Sequence, residues 1–302
     1  MKKFILKTVI FLAIIVIIDS VAGYTFDYLY TNAKGGMTLR DNYICNELKT
    51  DILLCGSSRC VHHYNPQIFT DSTLMSCYNS GQDGNGIILL YGRLQMIKKR
   101  MTPKLVIYDI NPEFDLLQGD DDHMYLTWLK PYYAQKKIKD IFLSVDSTEQ
   151  WKMLSNMYRY NSHIIEICID YFHPMISPNK NGFWPQLGEM DKLKIREEDH
   201  VQKESYDFDP LKLYYMERYA ESLEDKIVFC VSPIWYGMDT KQLTPIIELC
   251  KKKGIEFIDF SNNPKYVRND YYFTDGSHLN SIGADEFTKD LIVELRNRKI
   301  LK

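Results

Sequence analysis

The chain has 302 residues, of which 45% are hydrophobic and 25% charged, and its formal net charge is −3. This length and composition suit a folded protein with one sizeable α/β domain and additional segments. The slight negative charge, with no prominent basic cluster, argues against a nucleic-acid partner, because phosphate contacts need a basic surface. The seven cysteines and seven histidines show no zinc-ligand spacing. Neither a metal nor an organic cofactor is expected.

Residues 1–24 are predicted to be a membrane segment. Three lysines precede the apolar run of residues 8–18, and Asp19 closes this run. The strictly apolar run is short for a span and suits a signal peptide, with residues 20–22 (Ser-Val-Ala) as a cleavage site. Residues 4–24 are long enough to cross as an uncleaved anchor if the flanking charges reach the interfaces, and we favour this alternative. The lysines before the run place the bulk of the chain outside the cytoplasm, in the periplasm or at the surface of a bacterial envelope.

From residue 50 onward, short apolar strands alternate with helices. Strands are predicted at 51–55, 75–79, 105–110, 226–231 and 255–260, and helices at 87–99, 123–135, 147–172, 244–253 and 281–298. Continuous apolar strands separated by helices are typical of a parallel sheet covered on both faces. Residues 50–302 are therefore predicted to be one three-layer α/β domain. We expect residues 25–49 to be a linker or a first helix, and 113–225 an insertion whose helices could cap the site.

The predicted strands lead into residues that can do chemistry together. Ligands of open parallel sheets bind at the carboxyl ends of the strands, where this chain has the block Gly56-Ser-Ser-Arg59, a glycine loop at 81–86, Asn111, and the pair Asp275 and His278. Ser58 would attack an acyl carbon, His278 would be its general base, and Asp275 would hold the imidazole in the correct tautomer. The sequence thus predicts a serine nucleophile with a histidine–aspartate partner.

Backbone and side-chain N–H groups near the predicted nucleophile are expected to form an oxyanion hole. The candidates are the N–H groups of Ser58 and Gly84 and the side-chain amide of Asn111, with Gly81 as an alternative to Gly84. Arg59 is expected either to bind a substrate carboxylate or phosphate or to pair with a neighbouring acid.

Simpler interpretations exist for several of these residues. Ser57 and Ser58 could simply cap a helix. The adjacent histidines His62 and His63 are expected to be surface or supporting residues rather than a metal pair. The acidic run at 120–123 is expected to cap a helix, because it lacks the ligand spacing of a calcium loop.

The chain resembles the SGNH (GDSL-type) hydrolase family in four sequence blocks that occur in the same order. These blocks are Gly56-Ser-Ser-Arg59, the glycine loop at 81–86, Asn111, and the pair Asp275 and His278. The most specific element is the run from Asp275 to Gly283, D-G-S-H-L-N-x-x-G, which is close to the family's D-G-x-H-P-N-x-x-G. The resemblance covers residues 50–115 and 226–298. Two departures are Ser57, where the family usually has aspartate, and Asp109-Ile-Asn111-Pro112, where it usually has Gly-x-Asn-Asp.

The resemblance implies a flavodoxin-like three-layer fold and a serine esterase or O-acyltransferase without a cofactor. Similar G-S-S-R blocks occur in membrane-anchored members that handle cell-envelope polysaccharides. Together with the predicted anchor, this resemblance favours acyl groups of envelope polysaccharides or exopolysaccharides as the substrate. The expected partners are therefore the membrane and an acylated glycan or small ester. A non-catalytic glycan-binding or assembly protein of the same kind of pathway is the alternative.

Overall fold

The computed structural model describes residues 1–174, 181–190 and 204–302. Within these ranges the chain divides into two compact units. The helical unit contains residues 1–47 and 122–174, and the sheet unit contains residues 48–121, 181–190 and 204–302. Of the predicted insertion at 113–225, residues 175–180 and 191–203 lie outside the described residues.

The sheet unit has an α/β fold built on five parallel strands. They are β1 Ile52–Gly56, β2 Cys77–Asn79, β3 Leu105–Asp109, β4 Ile227–Val231 and β5 Glu256–Asp259. The strand order is β2-β1-β3-β4-β5, and β1 pairs in parallel with both β2 and β3. The prediction of a parallel α/β sheet is confirmed, with strand ends within two residues of those expected.

The described part of the chain forms both α-helices and 3-10 helices. The α-helices are α1 Lys2–Thr31, α2 Gly36–Asn46, α3 Ser58–His63, α4 Pro66–Thr73, α5 Ile87–Ile97, α6 Pro112–Asp115, α7 Lys136–Val145, α8 Glu149–Lys152, α9 Ile164–Phe172, α10 Pro210–Glu221, α11 Thr244–Lys253 and α12 Ser281–Asn297. The 3-10 helices are Asp122–Tyr132, Met157–Arg159, Glu224–Lys226, Thr240–Leu243 and Asp270–Tyr272.

Alternating strand residues are buried on opposite faces of the sheet. On one face, Leu54 of β1, Ile107 of β3 and Cys230 of β4 belong to a core that also contains aromatic side chains of α4 and α12, Phe69 and Phe287. The helices α5 and α10, which pack on one another, lie against the other face. The sheet is therefore covered on both sides, as the prediction of three layers requires.

The second face is held by aromatic contacts from α10. The ring of Tyr219 meets Tyr108 of β3 edge-on at 5.1 Å between centroids, and its hydroxyl lies 3.2 Å from the sulfur of Cys55. Each large apolar side chain buried in this way contributes about 1.5–3 kcal/mol. Burial on both faces explains why the strands read as continuous apolar runs rather than alternating ones.

In the helical unit, α1 differs from every other described helix by its apolar surface. Its most hydrophobic 18-residue window has a mean hydropathy of 2.5, and none of this window is buried. By length and composition α1 could be a membrane anchor or a signal sequence. The interval 25–49 contains the end of α1 and all of α2, so of the two alternatives for this interval, linker or helix, the structure has a helix.

Polar contacts connect the N-terminal helices to the interval 122–174. The Asp170 carboxylate accepts a 2.9 Å hydrogen bond from the Thr38 N–H at the start of α2. Gly36, with a φ of +64°, allows this approach, because a Cβ there would overlap the Asp170 carboxylate. The Tyr160 hydroxyl donates to Asp27 of α1 at 2.6 Å. These contacts make one unit of two segments that are far apart in the sequence.

The helices predicted in this interval are shorter than expected. The stretch 123–135 is largely a 3-10 helix that includes Pro131, whose missing N–H and ring are unfavourable in an α-helix interior. The continuous helix predicted over 147–172 is instead α8, a 3-10 turn and α9. Residues 155–157 lie between the end of α8 and the start of the 3-10 turn, and their polar groups bind Asp19.

Candidate active site

Ser58, His278 and Asp275 meet in the sheet unit. His278 Nε2 lies 2.9 Å from Ser58 Oγ, and His278 Nδ1 lies 3.0 Å from Asp275 Oδ2 and 3.1 Å from Oδ1. An ionised carboxylate only accepts hydrogen bonds, so Nδ1 carries the proton and Nε2 accepts from the serine hydroxyl. This tautomer is the one that a general base at Nε2 requires.

Asp275 is fixed by its own loop. Its Oδ1 accepts the N–H groups of Ser277 and His278, both at 2.8 Å. Burial alone would raise the pKa of Asp275, but the hydrogen bond and charge of His278, with the two backbone donors, outweigh burial and lower the pKa below its ordinary value. The carboxylate therefore stays ionised while it orients the imidazole.

The end of β1 positions Ser58. Gly56 has a φ of +148°, and a Cβ there would come within 2.8 Å of the Asp109 carbonyl and the Cys60 side chain. A glycine is therefore needed for the sharp turn from β1 into α3. Ser58 is the first residue of α3, where the backbone N–H has no partner within the helix.

Ser57 occupies the N-cap position of α3 but does not use its side chain as a cap. Instead its hydroxyl accepts a 3.1 Å hydrogen bond from Asn111 Nδ2. The Asn111 amide is thereby held beside the residue next to Ser58. Asn111 itself is fixed by its backbone N–H, which donates to Asp115 at 2.8 Å. The structure brings Asn111 to the site, and its role as an oxyanion donor stays a prediction.

The two candidate glycines of the loop after β2 differ in their surroundings. The N–H of Gly81 donates to Asn79 Oδ1 at 3.1 Å, and the residue packs against Cys60 and Val61. Gly84 has a φ of +61° with open space where a Cβ would stand. Gly84 therefore has free space beside its backbone, whereas the Gly81 N–H is already bonded within the loop; the oxyanion role of Gly84 stays a prediction.

Arg59 does not have the arrangement expected of a substrate-binding residue. It is 2% exposed, its Nε lies 3.8 Å from Asp109 Oδ2, and its guanidinium donates to the Ile110 carbonyl. Of the two alternatives for Arg59, pairing with a neighbouring acid is the one observed. Burial, only partly offset by Arg59, raises the pKa of Asp109.

A buried polar network beneath the loop that carries His278 was not predicted from the sequence. His63 Nδ1 lies 2.9 Å from Ser232 Oγ, and His63 Nε2 accepts the Leu279 N–H at 3.0 Å. Ser232 donates from its N–H and hydroxyl to Asp109, at 2.7 and 3.1 Å. The network thus connects α3, β3 and β4 to the residue that follows His278.

The chemistry of this network requires a neutral His63. Burial, and then the nearby charge of His278, lower the pKa of His63 well below its ordinary value. Protonation of Nε2 would remove the acceptor for Leu279. The sequence signals for the network were Ser232, placed directly after a buried strand, and a histidine five residues after Ser58, but each alone is ambiguous.

His62 also lies beside His278 rather than at the surface. It is 6% exposed, and its ring meets the His278 ring edge-on at 5.5 Å between centroids. Its Nδ1 donates to the Trp184 carbonyl at 2.6 Å, and its Nε2 lies 3.4 Å from Asp83. Burial lowers the pKa of His62, but Asp83 and the carbonyl outweigh this effect and raise it. His62 therefore takes up positive charge at the edge of the site more readily than an isolated histidine.

One group among the described residues has metal-ligand geometry. His123, Asp146 and Glu149 of the helical unit place one ligand atom each within 4.8 Å of one another. However, the Lys152 ammonium already lies 2.6 Å from Glu149 and 3.8 Å from Asp146. This lysine supplies the positive charge that a metal ion would bring.

The acidic run at 120–123 is divided between two structural roles. Asp120 forms a 2.6 Å ion pair with Lys212 of α10. The same ammonium donates to the carbonyls of Glu113 and Leu117, at 2.9 and 2.8 Å. Asp122 is the first residue of the 3-10 helix Asp122–Tyr132. The run therefore stands at the start of a 3-10 helix and also ties α10 to the segment after β3; that it caps this helix stays a prediction.

Comparison with known proteins gives little beyond these observations. No protein-family model matches the chain, and no curated protein has a matching sequence. Among solved structures, the chain is similar to one described as "a putative platelet activating factor from Streptococcus pneumonia". The match has 13% identity and a TM-score of 0.39, and it covers 96% of this chain and 98% of the other.

Proposed function

We propose that the chain is a serine-dependent acyl-ester hydrolase or O-acyltransferase. The observation that supports this most strongly is the continuous hydrogen-bonded series from Ser58 Oγ through the His278 ring to Asp275. Three residues that are up to 220 positions apart are joined in the order that nucleophilic acyl transfer requires.

The mechanism follows from this geometry. Ser58 Oγ attacks the acyl carbon while its proton passes to His278 Nε2, and Asp275 stabilises the imidazolium that forms. The N–H groups of Ser58 and Gly84 and the Asn111 amide stabilise the oxyanion, each donor being worth about 3–4 kcal/mol of barrier. His278 then gives its proton to the leaving alkoxide, and an acyl ester on Ser58 remains. Water or a glycan hydroxyl then attacks the acyl carbon while its proton passes to His278 Nε2. The bond from the acyl carbon to Ser58 Oγ breaks, and His278 returns the proton to Ser58 Oγ.

The fold and the blocks support an SGNH-type assignment within this proposal. The strand order 2-1-3-4-5 is that of flavodoxin-like sheets, whose ligands bind at the carboxyl ends of the strands. By resemblance, the Gly56-Ser-Ser-Arg59 block favours acyl groups on envelope or exopolysaccharide glycans as substrates. We further propose that α1 anchors the chain in a membrane, with its bulk outside the cytoplasm, because the lysines precede the apolar run.

A fluorophosphonate probe tests the nucleophile, because it reacts covalently with an activated serine. We expect the wild-type chain to be labelled and Ser58→Ala not to be labelled. Ser57→Ala is the matched control: it removes the adjacent hydroxyl and the Asn111 contact but keeps the nucleophile, so slower labelling at Ser58 should persist. Labelling that persists in Ser58→Ala would exclude Ser58 as the labelled nucleophile. A wild-type chain that binds glycan but is never labelled would favour the non-catalytic binding or assembly alternative.

A further inference from the structure

The apolar surface of α1 includes a carboxylate that is bound by another part of the helical unit. Large hydrophobic side chains from residue 4 to residue 21 are exposed, and Asp19 lies within this stretch. Its carboxylate accepts hydrogen bonds from the Ser155 hydroxyl, from the Asn156 N–H and side-chain amide at 2.8 and 3.2 Å, and from the Met157 N–H at 3.2 Å. Residues 155–157 thus supply four donors to one carboxylate.

The position of Asp19 along α1 sets its depth in a bilayer. At a rise of about 1.5 Å per residue, Asp19 lies roughly 22 Å from Phe4, whereas the hydrocarbon core is about 30 Å thick. A span that begins near residue 4 therefore places Asp19 several ångströms inside the far boundary, where an unpaired carboxylate is costly. The four donors of residues 155–157 offset this cost. Those residues must then lie at the same depth as Asp19.

The residues just before these donors present apolar side chains to the surroundings. Trp151 is 67% exposed and Leu154 is 73% exposed. The charge of Lys152, between them, is neutralised by Glu149 and Asp146. Tryptophan is enriched at membrane interfaces, and leucine readily enters the hydrocarbon. We call residues 151–157 the Asp19-binding segment.

The same contacts indicate that α1 is not removed by signal-peptide cleavage. The helix continues without a break through the small residues 20–22 to Thr31. Gly23 packs so closely on Asn156 that a Cβ there would overlap the Asn156 side chain. Cleavage after Ala22 would remove Asp19 and leave the donors of residues 155–157 without their acceptor.

We propose that the Asp19-binding segment is a second membrane contact, which inserts Trp151 and Leu154 into the lipid interface beside the span. The partner is the lipid surface. This inference rests on the membrane anchoring proposed above and is independent of the acyl-transfer chemistry. The chain would then be held by a span and an interfacial segment that Asp19 joins rigidly, rather than by a single flexible tether.

Tryptophan quenching in vesicles tests the contact. The full chain is reconstituted into phosphatidylcholine–phosphatidylglycerol vesicles with or without brominated acyl chains, and bromine-dependent loss of emission is measured. The wild-type chain should be quenched, and Trp151→Phe should lose most of that quenching. Trp184→Phe is the matched control, because Trp184 is the other exposed tryptophan among the described residues and belongs to the sheet unit.

Two further measurements separate the possible outcomes. Asp19→Leu should keep the span but release the segment, so the quenching that depends on Trp151 should fall. Intact mass of the chain isolated from membranes should include residues 1–22. Equal quenching in wild type and Trp151→Phe, or a mature chain that starts after Ala22, would overturn the proposal. Fluorophosphonate labelling should be unchanged in Trp151→Phe, so failure of the membrane contact can be told from failure of the proposed enzyme activity.

Discussion

At the scale of single residues, Asp275 determines which nitrogen of His278 carries the proton. The carboxylate accepts two backbone N–H groups in addition to the imidazole, so its position does not depend on the ligand. Its lowered pKa keeps it ionised. Through this one side chain, the loop before α12 fixes both the ring orientation and the tautomer that Ser58 needs.

Substitution of Asp275 by asparagine tests this role without a change of shape. The amide oxygen can still accept the Ser277 and His278 N–H groups, but an amide NH₂ facing the ring would favour the tautomer with its proton on Nε2. We expect kcat for an aryl ester to fall by about 10³–10⁴-fold, with a small change in thermal stability. The measurement is steady-state kinetics with a parallel melting curve. Activity within a few-fold of wild type would show that Asp275 does not orient the base.

At the scale of elements, the short helix α3 serves both the site and the core. Its first residue is Ser58, and its last, His63, binds Ser232, directly after β4, and Leu279 in the loop that carries His278. Arg59, between them, holds the end of β3 through Asp109 and the Ile110 carbonyl. A displacement of α3 would therefore move Ser58, the loop that carries His278 and the Asn111 loop together.

Arg59→Met tests whether Arg59 is structural. The variant keeps a long side chain but leaves the buried Asp109 without its cation. We expect a loss of stability of up to about 3 kcal/mol, limited because Tyr64 and Ser232 still donate to Asp109. Chemical denaturation measures this loss. An unchanged midpoint together with a large rise in KM would instead support the substrate-binding role.

The two histidines at the end of α3 predict opposite responses of stability to pH. His63 has a lowered pKa in the folded state. Its contribution to the free energy of unfolding is therefore present above its pKa in the unfolded state, about 6.5, and is lost as pH falls below that pKa. His62 has a raised pKa in the folded state. Its contribution to the free energy of unfolding is therefore present below about pH 6.5 and is lost as pH rises through the pKa of the folded state.

Replacing His63 by glutamine should remove the part of the pH dependence of stability that is due to His63. The variant cannot take up a proton, so its melting temperature should fall less than that of wild type between about pH 7 and pH 5, even if it is lower throughout. The exposed His173 gives the matched control, His173→Gln, which should follow the wild-type curve. Parallel curves for wild type and His63→Gln would contradict a neutral, buried His63.

At the scale of the whole molecule, the elements that could be predicted from the sequence are those with a regular residue pattern along a short stretch of chain. The apolar runs of β1, β3 and β4 are buried on both faces, so their composition alone indicated parallel strands. Because ligands of open parallel sheets bind at the carboxyl ends of the strands, Ser58, which follows β1, could be predicted to lie at that edge of the sheet. His278 then followed from the D-x-x-H pattern and the family resemblance.

The parts that could not be predicted depend on contacts between distant single residues. Nothing near Asp170 in the sequence indicates that its carboxylate binds the start of α2, nor does Asp19 alone indicate residues 155–157. The same is true of Ser232 and His63, whose pairing requires the sheet order to be known. Side chains of this kind look like surface residues until the fold places them together, and this explains why the helical unit and the buried network were missed.

The most direct test of the proposed chemistry is the mass of the intact chain during turnover. The full-length chain is mixed with an activated acetyl ester, quenched in acid within the first turnover, and analysed by intact-mass and peptide mass spectrometry. We expect one added acetyl group, located on Ser58 and absent in Ser58→Ala. No adduct, or an adduct on a different residue that persists in Ser58→Ala, would contradict the proposed serine acyl-enzyme.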